Sequence, residues 1–180
     1  MQQSVIISSR LILRPPTLAD AGPIFRAYGQ DAEVTRYLIW RPHRTLADTE
    51  AFVLGCVDAW GGGTRFPWVI TLAAGGEVIG MLEARIDDGF KVSVGYVLAR
   101  AYWGNGYVPE ALRAVMDVFW VNPEVFRIWA VCDVDNPSSA RVLEKVGMTR
   151  EGRLGRYVLH PNVSDEPRDV YCYAAIRGNH

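Results

Sequence analysis

The chain has 180 residues, of which 49% are hydrophobic, and a formal net charge of −1 at pH 7. This length is enough for one well-buried core, so we expect a single domain over residues 1–180. The near-neutral charge, with Lys and Arg scattered among Asp and Glu, argues against a nucleic-acid-binding protein, and no run of about 18 apolar residues indicates a membrane span.

The cysteines and histidines show no metal-binding or disulfide pattern. The three cysteines are far apart and lack C-x-x-C spacing, which is typical of reduced thiols in a cytoplasmic protein. The three histidines lack the spacing of a zinc site. We therefore expect a soluble cytoplasmic protein without a metal site. The residues concerned are Cys56, Cys132, Cys172, His43, His160 and His180.

The first 63 residues predict one strand and two helices. Arg10–Arg14 alternates as a strand does, and prolines end it. Thr17 and Thr45 each precede an acid by three residues, which predicts two capped helix starts, and the second helix ends at a run of glycines. Between the helices, Tyr37–Pro42 is either a plug of the core or one wall of a substrate groove.

Three extended segments follow, separated by strong turn signals. They are Pro67–Leu72, Val78–Ile86 and Phe90–Leu98, and they predict an antiparallel meander. Its last strand leads into a turn that contains Gly104 and Gly106 and opens a helix. A helix start leaves backbone N–H groups without partners, so the turn is suited to hold a phosphate.

The glycine turn does not match a dinucleotide-binding fingerprint. That pattern requires a third glycine where this chain has Pro109, and no acidic residue ends a following strand at the expected distance. Pro109 is tolerated in the first helical turn. An ordinary tight turn without a ligand remains the alternative at this stage.

The C-terminal part predicts three strands and one helix. Phe126–Cys132 is apolar enough to lie parallel to the strand before the turn, and Asn136 is a predicted cap with Pro137 at the first helical position. Met148–Leu159 and Asp169–Ile176 are the last strands. The fold class is α/β (α+β), with a mixed sheet of about six to seven strands flanked by about four helices.

Two spaced motifs together resemble the GNAT superfamily of acetyl-CoA-dependent N-acetyltransferases. They are WGNGYVPEAL and DNPSSARVLEKVGM, and RLILRPPTLAD and RDVYCYAAI match near the two ends of the chain. The likeness covers nearly the whole chain and is strongest to the branch that acetylates the N-terminal alanine or serine of ribosomal proteins.

The resemblance implies acetyl-CoA as cosubstrate and a splayed parallel strand pair that holds it. The glycine turn would surround the pyrophosphate, the strand before it would pair with the pantetheine arm, and the second motif would supply an Asn to this arm and an Arg near the phosphates. The implied residues are Trp103, Gly104, Asn105, Gly106, Tyr107 and Val108 in the turn, Tyr96, Val97 and Leu98 in the strand, and Asn136 and Arg141 in the second motif.

The chain departs from the family pattern at two positions. Ala101 stands where the family usually has Gln or Arg, with Arg100 one step away, and Leu143 stands where many relatives have the Tyr that protonates the leaving thiolate. In the ribosomal branch a Ser takes over this role, and Ser139 fits it. The alternative for Ser139 is a second helix-capping hydroxyl.

Glu83 is the first candidate for a general base, because its strand lies beside the one that enters the turn. The alternative is a strand carboxylate paired with Arg85 or Lys91. Glu33, Asp169 and Tyr171 are weaker candidates for the base.

The expected reaction is direct transfer of the acetyl group to a primary amine in a ternary complex. The acceptor is a peptide N-terminal α-amine or a small amine such as a polyamine or antibiotic. A CoA-binding sensor with little turnover is the alternative. Trp40, Trp68 and the loop His160–Pro167 are candidates for the acceptor mouth, and the apolar final strand is a candidate for pairing in a homodimer.

Overall fold

The computed structural model describes residues 5–178. Eight strands form one sheet in this part of the chain. They are β1 (Ile6–Ile7), β2 (Leu11–Arg14), β3 (Arg65–Leu72), β4 (Val78–Ile86), β5 (Lys91–Leu98), β6 (Arg127–Asp133), β7 (Thr149–Val158) and β8 (Arg168–Ile176). Their spatial order is β1-β2-β3-β4-β5-β6-β8-β7, and every neighbouring pair is antiparallel except β5 and β6.

Five α-helices accompany the sheet in the described residues. They are α1 (Ala21–Ile24), α2 (Ala32–Thr35), α3 (Leu46–Gly61), α4 (Tyr107–Trp120) and α5 (Pro137–Lys145). The predicted first helix is broken, because a 3-10 turn precedes α1 and a π turn, Phe25–Gly29, follows it. The described residues therefore hold one strand and one short helix more than the upper predicted numbers, since β1 and α2 are too short to leave a periodic pattern.

The predicted caps are present at both long helix starts that carry them. At α3, the Asp48 carboxylate accepts from the Thr45 N–H at 2.9 Å, and the Thr45 hydroxyl accepts from the Asp48 N–H at 3.3 Å. At α5, Asn136 Oδ1 accepts from the Ser139 N–H at 3.1 Å. These local bonds satisfy the orphan N–H groups of each helix and place the helix starts where the sequence predicts them.

Apolar side chains of the central strands alternate between two cores. On β3, Phe66 and Trp68 belong to the core that α4 covers, whereas Val69 belongs to the core beneath α1 and α3. The alternation follows from the two-residue period of a strand. Trp68 is fully buried, so the expectation that it lines an acceptor mouth is wrong.

The parallel pair β5 and β6 separates soon after it starts. The two strands pair only where Lys91–Ser93 runs beside Arg127–Trp129. Beyond Ser93 the facing edges part, and backbone groups of β5 and β6 open onto a cleft. The splay that the resemblance implied is therefore present.

The final strand lies inside the sheet. β8 pairs with β6 on one side and with β7 on the other. Both of its edges are used, so the expected homodimer contact through this strand is wrong. In residues 5–178 the sheet edges are β1 and β7.

Candidate active site

The opening between β5 and β6 is part of a cleft of about 840 Å³. Its walls come from the glycine turn before α4, the splayed edges of β5 and β6, the start of α5, and two loops. One loop, residues 36–40, follows α2, and the other carries His160 after β7. The residues of the two motifs and these two loops thus face one continuous space.

The glycine turn is shaped by backbone conformations that favour glycine. Gly104 and Gly106 have φ angles of 80° and 77°, and Gly106 is the residue that caps α4. Side chains other than glycine are strained in this left-handed region. The turn therefore brings the backbone and the N–H groups at the start of α4 to the cleft surface, an arrangement that fits the pyrophosphate of CoA.

Arg10 ties this turn to the N-terminal strands. Its Nε and Nη2 each lie 2.7 Å from Oε2 of Glu110, in the first turn of α4, and its Nη1 donates to the Asn105 carbonyl at 3.0 Å. Its guanidinium also lies 4.5 Å from the centre of the Tyr107 ring. Burial would raise the pKa of Glu110, but hydrogen bonds from Ser8 and Arg10 lower it below the ordinary value. Sequence reasoning missed Arg10, because its partners lie about 100 residues away.

Ser139 faces the cleft in a hydrogen bond with Tyr96. The Tyr96 hydroxyl lies 2.8 Å from Ser139 Oγ and 3.3 Å from the Ser139 carbonyl oxygen. Asn136 supplies the cap of α5, and the Ser139 hydroxyl bonds to Tyr96. Burial raises the pKa of Tyr96 above its ordinary value.

Cys132 lines the same part of the cleft but is held as a thiol. Burial raises its pKa to about 11, and nucleophilic catalysis requires the thiolate. Cys56, Cys132 and Cys172 are buried free cysteines.

Glu83 lines the cleft but is engaged by two guanidinium groups. Its carboxylate accepts from Arg65 Nη2 at 2.7 Å and from Arg85 Nε. Lys91 pairs with Asp88 instead. The expected alternative, a strand carboxylate in an ion pair, is therefore present at Glu83, with Arg65 in the place of Lys91.

The weaker base candidates are dispersed. Glu33 is exposed at the cleft, whereas Asp169 accepts from Arg153 Nε at 2.9 Å and from the Arg156 N–H at 2.8 Å. Arg150 lies over the Tyr171 ring, 4.7 Å from its centre. Neither Asp169 nor Tyr171 is among the residues that line the cleft.

The end of the cleft where an acceptor was expected is formed by two loops that are bonded to each other. Asn162 Nδ2 donates to the carbonyl oxygens of Thr35 at 2.8 Å and Trp40 at 2.7 Å. The Tyr37 hydroxyl donates to the Asp135 carbonyl at 2.9 Å. Trp40 also stacks on His43 at a ring distance of 4.8 Å. In the segment Tyr37–Pro42, residues 37–40 thus line the cleft, and the same part of the segment also packs against the rest of the protein.

The structure brings all but one of the implied site residues to the cleft surface. The exception is Asn105, whose side-chain amide donates to the carbonyl oxygens of Tyr102 at 3.2 Å and Trp103 at 3.1 Å. The predicted catalytic and cofactor-binding residues that line the cleft are Glu83, Tyr96, Val97, Leu98, Trp103, Gly104, Gly106, Tyr107, Val108, Asn136, Ser139 and Arg141.

The two positions that depart from the family pattern differ in burial. Arg100 pairs with Asp31 at 3.1 Å, and Ala101 is exposed. Leu143 is fully buried in the core. Leucine has no group that can protonate a thiolate, so such a group has to come from a position other than 143.

Residues 5–178 contain neither a cluster of metal-binding side chains nor a helix that could span a membrane. No group of three or more His, Cys, Asp or Glu side chains there is placed to hold a metal ion. Within the same part of the chain, no helix has the length and apolar character needed to cross a membrane.

Residues 10–149 match the family model described as the acetyltransferase (GNAT) domain. The chain belongs to this family and is an acyltransferase. Its cosubstrate is acetyl-CoA, which the glycine turn and the splayed strand edges fit.

The chain is also similar to individual proteins, among them these three. The uncharacterized N-acetyltransferase YoaA of Bacillus subtilis (strain 168) is 27% identical over 175 residues, 96% of this chain and 97% of the relative. The ribosomal-protein-serine acetyltransferase of Escherichia coli (strain K12) is 32% identical over 102 residues, 56% of this chain and 55% of the relative. The crystal structure of the microcin self-immunity acetyltransferase MccE with acetyl-CoA and AMP has a TM-score of 0.87 at 19% identity and covers 98% of this chain and 97% of that one.

Proposed function

We propose that this protein transfers the acetyl group of acetyl-CoA to the N-terminal α-amine of a protein or peptide, by direct attack in a ternary complex. The observation that carries the proposal is the single cleft that runs from the glycine turn, past Ser139, to the loop Tyr37–Trp40. Such a cleft lets a donor held by its phosphates meet an acceptor that enters past the loop. Direct attack requires this meeting, because the two substrates must be bound together.

Backbone and side-chain groups divide the donor-side tasks. The turn from Trp103 to Val108 would hold the pyrophosphate, and the edge of β5 from Tyr96 to Leu98 would pair with the pantetheine arm. Trp103 Nε1 donates to the Leu98 carbonyl at 2.8 Å, which fixes the end of this strand against the turn. Asn136 and Arg141 would reach the arm and the phosphates. A backbone N–H near Val97 or Leu98 would polarise the thioester carbonyl.

Ser139 is the proposed proton donor to the departing thiolate. Its hydroxyl faces the cleft, and Tyr96, 2.8 Å away, is placed to replace the donated proton. A covalent acetyl-enzyme on Cys132 is disfavoured, since burial raises the pKa of this thiol to about 11.

The preference for an α-amine rests on its acidity and on one relative. An α-amine has a pKa of about 8, so a useful fraction is neutral at pH 7, whereas a lysine amine near 10.4 demands more help. The relative from Escherichia coli carries a ribosomal-protein-serine acetyltransferase name. Three buried free thiols and an acetyl-CoA donor also fit an enzyme of the cytoplasm.

A small-molecule amine is the second candidate acceptor. Tyr37 and Trp40 present aromatic rings at the cleft, and such rings stack on planar groups. MccE, which shares the fold, was solved with AMP.

Mass spectrometry of a panel of amines tests the proposal. The panel contains peptides with free N-terminal Ser, Ala or Met, the same peptides with a blocked N-terminus and a free lysine, spermidine, and an aminonucleoside. We expect a gain of one acetyl group on free N-termini, with matching release of CoA. Acetylation confined to the small amines would overturn the peptide assignment, and acetyl-CoA binding without turnover on any member would favour the sensor.

Ser139→Ala and Ser138→Ala form a matched pair for the proton donor. Only the first removes the hydroxyl bonded to Tyr96. We expect Ser139→Ala to lower kcat while acetyl-CoA still binds. Loss of acetyl-CoA binding instead of turnover would contradict the assigned role.

A further inference from the structure

His160 is a buried imidazole at the cleft, and neither of its nitrogens has a hydrogen bond of ordinary geometry within residues 5–178. The residue is 6% exposed and lines the acceptor side of the cleft. Neither ring nitrogen meets hydrogen-bond geometry with another residue among those described. Burying a polar group without a partner costs free energy. The ring lines the cleft while both nitrogens lie just beneath its surface, so His160 is a buried polar group beside the path of a ligand that enters the cleft.

The neighbour of His160 is a carboxylate that is fixed in place. Asp133 Oδ2 lies 3.7 Å from His160 Nε2, and Asp133 is 2% exposed. Arg168 holds this carboxylate with Nε at 2.6 Å and Nη2 at 3.0 Å, and the Asp135 N–H donates to it at 2.9 Å. Asp133 is thus an ionised and oriented group beside the ring.

The charged and titratable groups around His160 come from four elements. Asp133 ends β6, Asp135 precedes α5 and Arg168 begins β8. Tyr37 belongs to the loop after α2, and its ring lies edge-on to the His160 ring with 6.3 Å between the ring centres. Burial is the main influence and lowers the pKa of His160. The Asp133 charge and a contact with the Leu38 backbone raise this pKa, whereas the Arg168 charge lowers it further. The ring is therefore neutral at pH 7 and able to accept a proton.

We propose that His160 is the general base that removes the proton from the acceptor amine, with Asp133 stabilising the imidazolium that forms. This proposal rests on the acetyltransferase function proposed above. The amine nitrogen bonds to the acetyl carbonyl carbon and gives one proton to His160. The carbon–sulfur bond breaks, and the thiolate takes a proton from Ser139. In the tautomer with Nε2–H toward Asp133, Nδ1 is the nitrogen that accepts.

The geometry favours His160 over Glu83 for this role. Both line the cleft, but the Glu83 carboxylate is already shared between Arg65 and Arg85. A base must have an open acceptor site and must stabilise the proton after transfer. His160 has an uncharged ring with an anion beside it, whereas protonating Glu83 breaks two ion pairs.

Hydrogen bonds attach the loop that carries His160 to the loop after α2, which forms the proposed acceptor mouth. Asn162 bonds to the carbonyl oxygens of Thr35 and Trp40 at 2.8 and 2.7 Å. The N–H groups of Val163 and Ser164 both donate to the His160 carbonyl, at 2.9 and 3.1 Å. These bonds fix the loop that follows His160, so an amine guided by the mouth arrives at a base whose position the loop holds.

The test is the pH dependence of kcat/KM for a peptide acceptor in the full-length protein and in His160→Gln. A general base contributes about 100-fold or more, so we expect at least this loss at pH 7. In the unmodified protein, log(kcat/KM) should fall with a slope of about 2 below the pKa of His160, because amine and base are both protonated there. His160→Gln should show a slope of about 1, set by the amine alone. Added imidazole should restore part of the activity of His160→Gly.

Two variants serve as matched controls. His43 is also a histidine whose pKa burial lowers, but its Nδ1 is bonded to Thr49 Oγ1 at 2.8 Å and it does not line the cleft. His43→Gln should keep the steeper slope. Glu83→Gln should keep it as well. Acetyl-CoA binding and thermal unfolding, measured for every variant, show whether His160→Gln folds and loads its donor.

The outcomes separate this proposal from the proposed function. If acetylation proceeds and His160→Gln retains both the rate and the slope of about 2, the base assignment is overturned. The same holds if Glu83→Gln, but not His160→Gln, flattens the slope. If no amine is acetylated, the proposed function itself fails.

Discussion

The hydroxyl groups of Tyr96 and Ser139 lie 2.8 Å apart across the splayed end of the sheet. Tyr96 comes from β5 and Ser139 from the first turn of α5, so the bond joins the strand beside the donor to the helix of the second motif. The core position 143 holds a buried leucine. This pair is the hydroxyl relay that we propose for protonating the departing thiolate.

Tyr96→Phe tests whether the relay acts as a unit. Removing one neutral hydrogen bond costs about 1 kcal/mol, so we expect kcat to fall about 5- to 10-fold with a small change in the KM for acetyl-CoA. The measurement is steady-state kinetics of Tyr96→Phe, Ser139→Ala and the double variant. Independent, additive losses in this cycle would contradict a shared role, because coupled residues give non-additive effects.

Glu110→Gln tests the tether of the glycine turn. The change weakens the contacts through which Ser8 and Arg10 hold the first turn of α4. We expect the KM for acetyl-CoA to rise about 3- to 10-fold, since bonds to charged groups contribute about 1.5 kcal/mol, while kcat changes little. Glu124→Gln, an exposed acid beyond α4, is the control and should leave both constants unchanged. A fall in kcat at constant KM would argue against a role in donor binding.

Gly80→Ala tests the packing of β4 against β5, the strand proposed to pair with the pantetheine arm. A Cβ atom at position 80 would lie 2.3 Å from the Val97 carbonyl oxygen, so β5 has to shift. We expect a loss of about 1–3 kcal/mol in the free energy of unfolding, as for overpacked cores, together with weaker acetyl-CoA binding. Gly152→Ala on β7 meets no atom within 4 Å and is the control. Urea unfolding and calorimetric titration with acetyl-CoA measure the two effects, and an unchanged unfolding midpoint in Gly80→Ala would contradict the expectation.

Stability should decrease as the pH falls through about 6.5, the ordinary pKa of histidine. Burial lowers the pKa of both His43 and His160 in the folded protein. The unfolded chain then binds protons at a higher pH than the folded chain, so protonation favours unfolding. Asp20 and Asp133 have lowered pKa values, and their contribution is lost only at lower pH, below about 4. The measurement is the urea midpoint at pH 7.5 and 5.5, and His43→Gln and His160→Gln should each reduce the difference. An equal difference in all three proteins would contradict this account.

Local signals predicted most of the elements and the donor side of the site. Capping residues such as Thr45 and Asn136 bond within one helical turn, and strand alternation depends on neighbouring residues. The motif residues around Gly104 and Asn136 were found because turn chemistry is local as well. The broken first helix was not predicted, since the apolar stripe from Ala21 to Tyr28 continues through the π turn.

Contacts between distant residues were beyond the sequence. Tyr96 was expected to contribute its backbone, and its bond to Ser139 spans 43 positions. Glu83 was the expected base, but its two arginine partners appear only when β3 and β4 are aligned. Trp68 and the final strand were placed at a surface and proved to be interior. No periodic pattern shows which of several apolar strands ends inside a sheet.

The sequence by itself determined the family, the glycine turn at the start of α4 and the cap of α5, because these depend on residue types at short spacing. Only the tertiary structure decided which side chains meet in the cleft. The splay of β5 and β6, the bond between Tyr96 and Ser139, and the approach of His160 to Asp133 all arise from packing between elements that are far apart in the chain. The glycine turn is a property of one segment, whereas the groups proposed for proton transfer come together only once the sheet has assembled.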